Sequence, residues 1–142
     1  MNSFGKYAIL DAPEYCFKET PDLYWKFKPA SSADELAMSR FYDSRTRTIN
    51  DVNGKPLLTG PYWIEVMWRE IALLFAGTNI KNEAGKPALS DRATVEEVEN
   101  LLHDMPQGMV EELWRGLGEA VPGWGPRKPQ PEEEAGETSS QS

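Results

Sequence analysis

The chain has 142 residues, one cysteine, one histidine and a formal charge of -8. That length buries a core as one domain without staples, a lone thiol excludes an intramolecular disulfide framework, and two soft-ligand residues cannot build a zinc site. No run reaches the roughly 18 apolar residues of a membrane span, and "MNSFGKYAIL" lacks a leader's apolar stretch, so a cytoplasmic protein is expected.

The charge is unevenly placed. Residues 1–60 hold eight basic and eight acidic side chains, and residues 61–93 hold four of each. Residues 94–124 hold seven acidic side chains (Glu96, Glu97, Glu99, Asp104, Glu111, Glu112, Glu119) against Arg115 alone. An acidic C-terminal third repels a phosphate backbone and favours a basic partner, so direct nucleic-acid binding is not expected.

In chain order, "YAIL" at 7–10 reads as a short strand that stops at Asp11-Ala12-Pro13. In "LYWKFK" at 23–28, Leu23, Trp25 and Phe27 alternate with polar neighbours, the mark of a half-buried strand. Ser32 with Glu35 reads as a capping box for a helix through about Tyr42. Residues 45–58 carry the Asn53-Gly54 turn signal between weakly strand-like runs, giving a loop or a hairpin. Pro61 opens a central helix and Gly77 closes it. Thr94 and Glu97 cap another helix bearing Val95, Val98, Leu101 and Leu102, and Asp104-Met105-Pro106 breaks it. A last amphipathic helix carries Val110, Leu113, Trp114 and Leu117 on one face. From Gly125 onward no side chain is both apolar and larger than alanine or proline, and such a segment cannot offset its ordering entropy. The fold class expected is therefore α+β, mainly α. A small N-terminal β element packs on a bundle of about four helices in a single domain over 1–124, and a disordered acidic Pro/Glu/Ser tail follows over 125–142.

The central helix is apolar on more than one side. At about 100° per residue, Trp63, Ile64, Met67, Trp68, Ile71, Leu74 and Phe75 fill one broad arc, with Glu65 and Arg69 opposite at a pairing distance. Tyr62, Val66 and Leu73 form a second apolar cluster beyond Glu70. Two covers for that flank stay open: the N-terminal strand bearing Trp25 and Phe27, or a partner protein. Trp124, in "VPGWGP", lies outside any regular element. Tyr62, Val66, Leu73 and Trp124 are thus the candidate partner-binding residues.

Chemistry-bearing patterns are missing. His103 follows Glu99 by four residues on the polar side of its helix, Cys16 has no identifiable base beside it, and Glu111 and Glu112 read as a solvated face. "GLGEAVPGWG" follows a helix instead of a strand, so it is no phosphate-binding loop. No catalytic residue, metal site or cofactor is expected, and the chain does not read as an enzyme.

Three segments carry a resemblance: "LYWKFKPASSADELAMSRFY" (23–42), "GPYWIEVMWREIALLFAGTNI" (60–80) and "ATVEEVENLLHDMPQGMVEELWRGLGEAVPGWGP" (93–126). Together, over about two thirds of the chain, they resemble the tail assembly chaperones of long-tailed bacteriophages. The Asn53-Gly54 segment departs from that pattern. The resemblance implies a late, small protein of the host cytoplasm that binds the tape measure protein and keeps it soluble during tail tube formation. It implies no place in the mature virion. The tail tube protein is a second expected partner, self-association is allowed, and neither nucleic acid nor membrane is implied. The alternative is a structural head-tail connector or tail completion protein of the particle; a small acidic inhibitor that mimics nucleic acid is a third reading.

Overall fold

A computed structural model describes residues 13–126. The expected strand at 7–10 and the tail beyond residue 126 lie outside the described residues. The elements are β1 (Glu14–Cys16), β2 (Tyr24–Phe27), α1 (Ser32–Ser44), β3 (Arg47–Asn50), β4 (Pro56–Thr59), α2 (Trp63–Leu73), β5 (Phe75–Thr78), α3 (Val95–Asp104) and α4 (Gln107–Ala120). The fold is α+β and mainly helical, as the sequence suggests. Among the described residues two antiparallel sheets form, one in the order β1-β2-β5 and the other the hairpin β3-β4.

The first sheet corrects the expectation of a purely N-terminal β element. The helix expected through Gly77 ends at Leu73, and the next residues become β5, pairing Trp25 with Thr78 and Phe27 with Phe75. Helical spacing at Leu73, Leu74 and Phe75 fits a strand equally well, and β2 needs a neighbour on each side to seal Trp25 and Phe27. Phe75 meets Trp25 edge to face, with ring centroids 5.2 Å apart. Gly77 sits at φ 151, where a side chain is disfavoured.

Helix α2 is the hub, touching α1, α3 and α4. Its Met67 and Ile71, with Leu74 just beyond, meet Trp25 and Phe27 from the sheet, Val98 and Leu102 from α3, and Val110, Leu113 and Leu117 from α4 in one core. Each large side chain fully removed from water contributes about 1.5–3 kcal/mol. The starts of α1 and α3 are fixed by side chains. Ser31, not Ser32, caps α1 and pairs with Asp34, while Thr94 and Glu97 form the expected box on α3.

The chain after α4 turns back over it. Gly123 and Gly125, at φ 89 and 85, make the reversal, and Gly125 lies so close to Gly118 that a Cβ on it would fall 2.5 Å from the Gly118 Cα. The reversal delivers the Gly125 N–H to the buried carboxylate of Glu70 at 2.8 Å, beside the Trp114 Nε1–H from α4 at 2.9 Å. The Trp124 Nε1–H reaches Glu35 at 2.7 Å. "GLGEAVPGWG" is therefore a packing device.

Candidate protein-interaction surface

The segment at 45–58 is a hairpin. Asp51 initiates its turn: Oδ1 accepts the N–H groups of Asn53 and Lys55, both at 2.8 Å, and Gly54 takes φ 81. β3 and β4 then pair in the register Arg47↔Thr59, Thr48↔Leu58, Ile49↔Leu57 and Asn50↔Pro56. Neither strand joins the main sheet. The hairpin is held at its base by Arg47, whose guanidinium lies 4.1 Å over the Tyr62 ring and donates to the Tyr62 hydroxyl at 3.0 Å and the Gly60 carbonyl at 3.2 Å.

What this hairpin presents is apolar. Leu58 is 78% exposed, Val52 fully exposed, and Ile49 and Leu57 are each about half exposed. At the hairpin's base Tyr62 is 58% and Trp63 53% exposed. The Trp63 ring stacks on Trp114, with centroids 6.3 Å apart, along a groove of about 180 Å³ closed by Glu111, Arg115 and Pro126. Trp63 begins α2, one turn short of the core, which corrects its assignment to the buried arc.

A second loop shows what this design does when it is covered. "DVNGKPLL" at 51–58 is echoed by "NEAGKPAL" at 82–89. Asn82 Oδ1 accepts from Ala84 and Lys86, and Gly85 takes φ 78. The residue matching Leu58 is Leu89, which is buried in the core. The same turn thus places a leucine inward once and outward once. The Asn53-Gly54 turn signal marks the hairpin, and the Gly-Lys-Pro pattern at 54–56 and 85–87 marks its covered counterpart.

The four sequence candidates separate. Tyr62 is exposed beside the hairpin. Val66 and Trp124 are buried, and Leu73 is half-buried against the core. These three are corrected from partner-binding to structural positions, because α2 is ringed by helices and the glycine reversal tucks Trp124 in.

Elsewhere the charged side chains serve the fold. Arg69 pairs with Glu99, and Arg45 with Glu65, each at 3.1 Å, replacing the expected Glu65–Arg69 and Glu99–His103 pairs within helices. His103 lies against the Trp68 ring at 4.0 Å between centroids. These residues line a groove of about 300 Å³ that also carries the exposed Glu96. Glu112 is no solvated face: it accepts from the Tyr15 hydroxyl and from the Lys18 N–H at 2.9 Å. Burial, then Glu112, pushes the Tyr15 hydroxyl up to about 12. Partial burial works against the Glu112 carboxylate, but the Tyr15 and Lys18 donors prevail and hold it below its usual range. Cys16 is exposed on the edge strand β1, and lost hydration followed by Glu14 pushes its thiol up. Among the described residues no group of three or more His, Cys, Asp or Glu is placed to hold a metal ion, and no helix is long and apolar enough to cross a membrane.

Comparisons with protein-family models, with curated proteins and with solved structures find no match to this chain.

Proposed function

We propose that this chain is a tail assembly chaperone of a long-tailed bacteriophage, binding the tape measure protein and keeping it soluble while the tail tube forms. The observation that carries the reading is the exposure of Leu57, Leu58, Tyr62 and Trp63 on and beside the hairpin, Leu57 and Leu58 on its two faces, in a chain that buries its other tryptophans more deeply. Large apolar side chains exposed at this density along residues 57–63 are a binding feature, and a long apolar client is held by aromatic and leucine anchors. The exposed carboxylates of α3 and α4, among them Glu96, Glu97, Asp104 and Glu119, keep such a complex soluble and repel nucleic acid. On this reading the protein makes no bonds, acts in the host cytoplasm and is left out of the finished particle, with the tail tube protein as a second partner.

One observation favours the alternative, a head-tail connector or tail completion protein: the hairpin has open edges of the kind by which subunits join. Mass spectrometry of purified particles separates the two, since a chaperone is missing from them.

The test is co-expression of the tape measure protein with wild type or with a Leu58→Asp, Trp63→Asp double variant. The expected result is a soluble client with wild type and a pelleted client with the variant, whose circular dichroism stays native. A variant that solubilises the client as well as wild type overturns the reading, as does a wild-type chain that leaves the client in the pellet.

A further inference from the structure

We infer that a second copy of this chain docks on the free edge of β3, joining two hairpins into one four-stranded antiparallel sheet in the order β4-β3-β3-β4. This contact is independent of the client and of the phage reading.

The edge is identified by hydrogen bonding. The Asp51 N–H donates to the Lys55 carbonyl at 2.9 Å, and bonded and non-bonded pairs alternate along an antiparallel ladder. In the register of this hairpin the bonded pairs are then Ile49 with Leu57 and Arg47 with Thr59. The N–H and C=O groups of Thr48 and Asn50 consequently face outward, and both residues are exposed. The opposite edge is weaker, because the outward residues of β4 are Leu58 and Pro56, and proline has no N–H to give. Arg47 is the sole charge in β3, so the strand lacks the charged guards that usually blunt an edge.

The occupant follows from self-complementarity. When β3 pairs antiparallel with its copy about a two-fold axis at Ile49, Thr48 faces Asn50 of the second copy and exchanges two hydrogen bonds with it, and the symmetric pair does the same. Ile49 then meets Ile49 of the second copy, and Arg47 stands opposite Asp51 of the second copy on both sides of the axis. Those opposite charges lie on the same face as Ile49 and Leu57 and attract across the strands while Arg47 keeps its bonds to Tyr62 and Gly60 and Asp51 Oδ1 keeps its turn bonds. The contact is isologous, so it closes as a dimer. It also converts a two-stranded hairpin, marginal by itself in water, into a four-stranded sheet with Ile49 and Leu57 of both copies on one face.

The test uses the full chain with Cys16→Ser as background. Light scattering behind a sizing column should give wild type twice the 16.0 kDa chain mass. Thr48→Pro removes the outward N–H without touching the β3–β4 ladder and should give a single chain mass. Mild oxidation should cross-link Ile49→Cys, because the non-bonded pair on the axis brings the two Cβ atoms close enough for a disulfide. Leu58→Cys, on the far strand, should stay uncross-linked. A wild type of single mass, a Thr48→Pro chain that keeps the double mass, or equal cross-linking at 49 and 58 overturns the proposal. The cysteine pair keeps the test decisive if the proline variant misfolds.

Discussion

Gly116→Ala is the substitution whose sign the structure decides against intuition. In an exposed helix interior the change gains about 1 kcal/mol. In α4, however, a Cβ at 116 falls 2.5 Å from Tyr15 Cδ1 and 2.9 Å from its Cγ and Cε1. Carbon atoms rest at about 3.5–4.0 Å, so the ring has to retreat by roughly 1 Å or more. It has little room: Tyr15 is in register with Trp25, meets Phe17 edge to face at 5.6 Å, and donates to Glu112. Overpacking costs about 1–3 kcal/mol, and the half-exposed hydrogen bond adds about 1 kcal/mol. Set against the helical gain, a net loss of about 1–3 kcal/mol is expected. Urea unfolding followed by tryptophan fluorescence measures it. In a Tyr15→Ala background the same glycine change should instead stabilise, by up to about 1 kcal/mol. A Gly116→Ala protein at least as stable as wild type, with no sign reversal in the second background, refutes the reasoning.

Other positions give equally plain outcomes. Glu70→Ala orphans the Gly125 N–H and the Trp114 Nε1–H in the interior and should cost about 2–5 kcal/mol; in thermal melts Glu70→Gln, which keeps an acceptor, should lose clearly less. Val66→Asp places a carboxylate in the core and should abolish cooperative melting, whereas a folded product would return Val66 to the surface. Tyr15 has its folded pKa raised from 10.0 to about 12, so its contribution is complete below pH 10 and is lost as pH rises towards 12. Glu112 is lowered, so its share is present above the usual carboxylate range and is lost on acidification through the folded pKa. Ultraviolet titration should show a late tyrosine phase that Tyr15→Phe removes; a titration curve whose late phase Tyr15→Phe leaves unchanged would contradict the Tyr15–Glu112 bond.

Much of the frame was legible because local and global demands agree. Thr94 with Glu97, the Trp25/Phe27 alternation and the apolar stripe of α4 each need nothing beyond their own neighbours. Where tertiary demands compete, the sequence misleads. Leu74 and Phe75 satisfy helical spacing, yet β2 captures Phe75–Thr78 as a strand. Glu65 and Glu99 find arginines on other elements before their own helical neighbours. The candidate surface was half visible. Tyr62 could be singled out as surplus apolar area, but which flank of α2 its neighbours cover is a fact of packing, and it takes Val66 inside. Trp124 looked loose because glycines surround it, and those same glycines allow the close backbone approach that buries it. The hairpin's exposed leucines became significant only beside Leu89, their covered counterpart.

Hydrogen exchange of the chain with and without the tape measure protein locates the client surface. Bound client should slow amide exchange across residues 57–63, where Leu57, Leu58, Tyr62 and Trp63 are proposed to meet it. Protection confined to the acidic helices α3 and α4, with 57–63 exchanging as in the free chain, would contradict that placement.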